Sequence, residues 1–106
     1  MNETVVIAHI TALPGKADAL RERLAQIVVE SGAEPGVIYY VMNESVDTPG
    51  AFILVEVYES ADAYEAHRTS DHVAAVVADL ATLAEPNPPI LRTETIAVDG
   101  SAKAAW

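Results

Sequence analysis

The stretch "VIYYVMNESVDTPGAFILVEVYE", residues 37–59, decides the fold. Residues 37–45 and 51–59 are runs of β-branched, aromatic and aliphatic side chains, and the "VDTPG" between them has turn chemistry. Two such runs joined by a short Pro-Gly loop read as an antiparallel hairpin. In the second run Phe52, Leu54 and Tyr58 point to one side, with Glu56 on the same parity, and Ile53, Val55 and Val57 point to the other. A strand that is apolar on both parities is one covered on both faces.

Working outward, residues 4–13 form a similar strand, with Val5, Ile7 and Thr11 on one face and Val6, Ala8 and Ile10 on the other; "PGK" ends it. Residues 16–33 carry Ala17, Leu20, Leu24, Ile27, Val28 and Ser31 at helical spacing, with Arg21, Arg23 and Glu30 elsewhere on the wheel. "GAEPG" stops this helix, because Gly32 is permissive and Pro35 disfavours helical geometry at Glu34. After the hairpin, Ser60 is an N-cap for a short helix through Tyr64, His67 and Arg68. Thr69 or Ser70 caps a second piece in which Val73, Val76, Val77, Leu80 and Leu83 recur every three or four residues. "EPNPP" closes the helical region, and residues 90–98 read as a last strand. Residues 1–98 thus form one domain, and residues 99–106 are a tail expected to be disordered.

The order β-α-β-β-α-β is the split βαβ, ferredoxin-like arrangement of an α+β protein: an antiparallel sheet with its helices on one face. Helices on one face leave the other apolar face uncovered. A second copy presenting its own sheet would cover it, so the pattern predicts a homodimer.

Composition narrows the function classes. Sixteen acidic against six basic residues give a net charge of −10, which repels phosphate backbones and argues against nucleic acid as a partner. There is no cysteine, hence no disulfide, zinc–thiolate site or cysteine nucleophile. No apolar run approaches the roughly 18–20 residues of a membrane span, and no basic segment precedes the first apolar run. The expectation is a soluble, cytoplasmic protein with no membrane partner.

Three histidines occur, His9, His67 and His72, the last two in "EAHRTSDH" at residues 65–72. On a continuous helix, residues five apart point about 140° away from each other and share no metal ion. Poor helix-interior residues at Thr69 and Ser70 predict a break there. With that break, His67 turns toward a cavity between helices and sheet while His72 serves the start of the next helix, so the two are not expected to act as one pair. No metal site is expected. His9 is either a strand residue at a core or interface or, if it faces the helices, a cavity residue. Glu56 is mid-strand, and a carboxylate there must be paired or hold its proton more tightly than usual. It is either a dimer-interface partner or a site residue. Arg92, on an otherwise apolar strand, is either a surface side chain or a donor to a developing oxyanion. Four of the six aromatic residues are tyrosines, among them Tyr40, Tyr58 and Tyr64, which combine an apolar wall with a hydroxyl. No G-x-G-x-x-G is present, so no nicotinamide or flavin fold is expected.

The segments "PGKADALRERL", "EPGVIYY", "ESVDTPGAFILVEVYES" and "ADAYEAHRTSDH", in this order and spacing, resemble successive signatures of the antibiotic biosynthesis monooxygenase (ABM) family, over roughly residues 5–98. The E-P-G turn and following tyrosine of that family fall on Glu34, Pro35, Gly36 and Tyr40. Its aromatic–glutamate–aromatic strand pattern falls on Phe52, Glu56 and Tyr58, and its helix pattern on Ala66, His67, Ser70 and His72. The chain departs at Tyr58, where many relatives carry tryptophan, at Gly32, where many carry a basic residue, and at Arg68, where many carry leucine. The resemblance implies a dimeric α+β barrel and a small, cofactor-independent monooxygenase that oxidises a quinol or polycyclic phenol with O₂. For such chemistry His67 is the preferred proton-transfer residue, and Tyr40, Tyr58, Tyr64, His9, Glu56, Arg92 and His72 are the candidates to line the substrate site. A non-oxidative enzyme or ligand-binding protein of the same fold is the alternative.

Overall fold

In the computed structural model, which describes residues 2–106, the elements follow in the order β1 (Thr4–Thr11), α1 (Ala17–Gly32), β2 (Val37–Glu44), β3 (Ala51–Tyr58), α2 (Ala61–Arg68), α3 (Asp71–Leu80) and β4 (Ile90–Glu94). The strands form one sheet in the order β2-β3-β1-β4, and each neighbouring pair is antiparallel. This is the ferredoxin-like α+β arrangement expected from the pattern, with the second helix in two pieces.

The parity of the hairpin assigns the faces. Val6 pairs with Glu56, Ala8 with Leu54 and Ile10 with Phe52, while Tyr40 and Met42 lie opposite Glu56 and Leu54. These even-numbered residues face the helices. Ala8, Ile10, Phe52 and Leu54 join Leu20, Leu24 and Ile27 of α1 and Val76 of α3 in one buried core. The i, i+4, i+7 spacing in α1 thus lays one apolar stripe on the sheet, and each buried leucine or isoleucine contributes about 1.5–3 kcal/mol.

The odd-numbered face has no helix. There Val5 and Val57 are buried, but Tyr39, Val41 and Leu91 are exposed by 49%, 47% and 63%. The C-terminal tail, expected to be disordered, runs back along this face. Trp106 Nε1 donates to Thr95 Oγ1 at 2.9 Å, the Trp106 ring lies 6.0 Å from that of Tyr39, and residues 103–106 border Val5 and Thr93. An indole has much apolar surface to remove from water, and the uncovered strands are the nearest apolar surface. The last strand is also shorter than expected, ending at Glu94. Among the described residues no helix is long and apolar enough to cross a membrane.

Candidate active site

The site begins at the break between α2 and α3. Ser60 caps α2, its hydroxyl accepting from Ala63 N–H at 3.1 Å. Ser70 then acts in both directions: its Oγ donates to the His67 carbonyl at 2.6 Å and accepts from Val73 N–H at 3.4 Å. One hydroxyl thereby satisfies a carbonyl left over at the end of α2 and an amide left over at the start of α3. The change of axis brings the His67 and His72 rings to a centroid separation of 6.0 Å.

Glu34, which the sequence marks as part of a helix-stopping turn and of the family's E-P-G pattern but not as a site residue, enters from the far side. Its position depends on Gly36, where an added Cβ would lie 2.5 Å from Ala63 Cβ, so only glycine lets α2 pack this close to the turn. Glu34 Oε2 then lies 2.8 Å from His67 Nδ1 and 2.7 Å from His72 Nε2. An ionised carboxylate offers only acceptors, so each of these nitrogens donates an N–H to the same oxygen. The expectation that the two histidines work separately is therefore overturned: one carboxylate joins them. The break at Ser70 was expected to send the two rings to different surroundings, but the turn at residues 34–36 packs against α2 closely enough for Glu34 to reach both.

With Nδ1 of His67 donating, the lone pair of the neutral ring resides on Nε2. That atom faces Glu56 Oε1 at 3.9 Å. Both side chains are nearly solvent-free. Burial pushes the Glu56 carboxyl up to about 7, against the opposing hydrogen bond from the Tyr58 hydroxyl, which donates to Oε1 at 2.5 Å. Burial also raises the Tyr40 and Tyr58 hydroxyls well above the usual phenol range, with the nearby Glu56 carboxylate adding to it. These tyrosines are therefore neutral hydrogen-bonding groups at any physiological pH. The rings of Tyr40, Tyr58 and Tyr64 lie 5.4, 5.3 and 6.5 Å from that of His67.

A cavity of about 370 Å³ adjoins this cluster, between α1, α3 and the sheet. Its wall is largely aliphatic, with Tyr40, Tyr64, Glu56, His67 and Arg68 supplying the polar groups; Val77 and Ile90, both mostly exposed, belong to its rim. Convergent polar groups in an apolar cleft are the usual form of a small-molecule site.

The predicted residues thus divide. His67, Tyr40, Tyr58, Tyr64, Glu56 and His72 come together. His9 does not: it stands exposed on the odd-numbered face, opposite Ile53, with the sheet between it and the cavity. Arg92 is exposed on β4, its guanidinium carbon 5.2 Å from the Tyr64 ring centre, where it covers that ring from outside. Two residues were missed. Arg68 lines the cavity and pairs with Glu65. Glu34 is the other, and the available signal was a carboxylate set between a glycine and a proline at a helix end.

The fold and this cluster define the class: a ferredoxin-like α+β protein whose polar site lies between helices and sheet. Residues 4–79 match the family model for antibiotic biosynthesis monooxygenase, and the chain belongs to that family. Among solved structures, PA3566 from Pseudomonas aeruginosa is similar at 28% identity and a TM-score of 0.84, over 92% of this chain and 97% of that one. Rv0793 from Mycobacterium tuberculosis is similar at 29% identity and a TM-score of 0.80, over 94% and 98%. NE2512 from Nitrosomonas europaea, a protein of unknown function, is similar at 25% identity and a TM-score of 0.82, over 96% and 97%. No protein with a curated description matches the sequence.

Proposed function

We propose that this chain is a cofactor-independent monooxygenase that oxidises a quinol or polycyclic phenol with O₂, and that His67 is its base. The observation that carries the reading is the 2.8 Å contact of His67 Nδ1 with Glu34, which leaves Nε2 as the acceptor of a ring that lines an apolar cavity together with Tyr40 and Tyr64. An electron-rich phenol needs to lose a proton before it reacts with O₂. His67 Nε2 takes that proton, and the imidazolium is stabilised through Nδ1–H by the Glu34 carboxylate, as in other histidine–carboxylate pairs. Tyr40 and Tyr64 provide a flat surface for the ring. One oxygen atom enters the substrate, and the other leaves as water with the two hydrogens that the substrate gives up. The dry wall limits competing protonation of the anion.

Support for a second reading comes from Glu56, a carboxyl titrating near neutrality beside the His67 lone pair. Two groups so placed suit a proton transfer from one atom of a substrate to another, the chemistry of a non-oxidative isomerase. The exposed apolar residues Tyr39, Val41 and Leu91 support a homodimer that packs sheet to sheet.

Oxygen uptake with a panel of hydroquinones and anthrones separates these readings. Uptake without added flavin or metal, lowered by about 10²–10⁴ in His67→Ala, is the expected result. Absence of uptake across the panel, together with solvent-proton exchange into a ligand that raises the melting temperature, would replace the first reading by the second.

A further inference from the structure

The three donors that meet at the helix break form a larger set than the proposed reaction requires, since that reaction uses Glu34 and His67 but not His72. Glu34 Oε2, His67 Nδ1 and His72 Nε2 all lie within 4.8 Å of one another, and they come from two separate segments of the chain. Two imidazoles and one carboxylate are the ligand types preferred by zinc and its first-row neighbours, and three protein ligands leave a position for solvent.

We propose that Glu34, His67 and His72 bind a zinc-class divalent ion, and that ion binding and base catalysis at His67 exclude each other. The first part rests on the geometry alone; the second rests on the function proposed above.

Three observations bear on the ion. Glu34 Oε2 is already the common neighbour of both ring nitrogens, at 2.8 and 2.7 Å. Tetrahedral ligation at about 2.0–2.1 Å sets donor atoms about 3.3 Å apart, so each of the two Glu34–histidine pairs opens by only about half an ångström. The side chains of His72 and Glu34 are 23% and 17% exposed, which gives an ion a route from solvent, while His67 is buried behind them. Finally, His67 Nε2 faces Glu56 Oε1 at 3.9 Å. A ligating histidine commonly donates its other N–H to a carboxylate, and Glu56 is placed for that role.

Exclusion follows from proton bookkeeping. In the ion-free triad His67 carries its proton on Nδ1 and His72 carries its proton on Nε2, both donated to Glu34. An ion needs lone pairs on those same atoms. Each ring therefore moves its proton to the other nitrogen, His67 to Nε2 and His72 to Nδ1, with no change in charge. His67 Nε2 then becomes a donor toward Glu56 and can no longer take a substrate proton. Zinc would thus switch the base off without blocking the cavity.

The test is titration of the full chain with Co²⁺, read by the intense visible absorption of low-coordinate cobalt, with Zn²⁺ added to displace it. Saturation at one ion per chain is expected, with loss in Glu34→Gln and in His72→Ala and retention in His9→Ala. Circular dichroism melts identify any variant that does not fold; if Glu34→Gln is one, His72→Ala decides. Long-range ¹H–¹⁵N spectra should show His67 passing from the Nδ1–H to the Nε2–H tautomer on adding Zn²⁺. Absence of saturable Co²⁺ absorption, or binding that survives loss of His72, overturns the site. None of these readouts needs turnover, so they stand if no substrate is oxidised. If the quinol activity exists and persists at saturating Zn²⁺, the exclusion is overturned and the site remains.

Discussion

The two faces of the sheet are built from the same kind of residue and end in different states. The even-numbered face carries Ala8, Ile10, Phe52 and Leu54, meets α1 and α3, and disappears into the core. The odd-numbered face carries Val5, Val57, Tyr39, Val41 and Leu91, meets only the returning tail, and leaves the last three exposed. The first face also holds polar groups that a core would ordinarily exclude: Glu56, Tyr58 and His67 are all buried there. Polar chemistry is thus concentrated on the face the chain covers for itself, and unsatisfied apolar area on the face it does not. In this molecule the candidate site lies on one side of the sheet, and the exposed apolar surface on the other.

The largest effect expected from this contrast comes from placing a carboxylate on each face. Leu54→Asp buries an unpaired charge at a position 3% exposed and should leave the chain unfolded. Val41→Asp, at 47% exposure, should leave the far-ultraviolet circular dichroism unchanged and shift light scattering toward the monomer. Equal loss of structure in both would mean that the open face is as necessary to the fold as the covered one.

Next in size is the buried Glu56. Its folded-state carboxyl titrates at about 7 against an ordinary value of 4.5, so between these pH values the folded chain holds more protons than the unfolded one. Stability from this residue is therefore highest below that window, falls as pH rises through it, and stays low above. Glu56→Gln removes the slope, and the shift corresponds to a gain of about 3 kcal/mol above pH 7. Melting curves across pH 4–9 should show the variant ahead of the parent at high pH and level with it at low pH. A parent that becomes more stable between pH 5 and 7 relative to the variant would contradict the burial of an ionisable group here.

Ser70→Ala sharpens the contrast at smaller cost. It removes an N-cap and a bond to the His67 carbonyl, worth about 0.5–2 kcal/mol in melting experiments. It should also weaken the convergence of the histidines, seen as loss of the slowly exchanging imidazole N–H signals that Glu34 protects. Retention of those signals would show that Gly36 and the Glu34 turn, not the break, hold the triad. The smallest effect belongs to His9→Ala. On the open face, exposed, it should change stability by less than about 0.5 kcal/mol and leave any turnover intact.

How much of this was legible follows from the range of each interaction. Alternation in residues 4–13 and 51–59, the stripe Leu20, Leu24, Ile27 and Ser31, and the cap residues Ser60 and Ser70 are local signals. They are written at spacings of two, three or four residues, so the sequence by itself determined the elements, their order, the faces of β3 and the break at Ser70. His67, Tyr40, Tyr58 and Glu56 could be nominated because polar groups in apolar elements are conspicuous. Tertiary structure alone decided the rest. Glu34 is 33 residues from His67 and 38 from His72, and no periodicity links them. Whether His9 faced the cavity depended on which parity the helices covered, and both parities were apolar. The tail's course depended on an apolar surface that exists only once the sheet has formed. Contacts of this kind arise when separate elements pack, and packing is a property of the assembled volume, which a linear pattern does not encode.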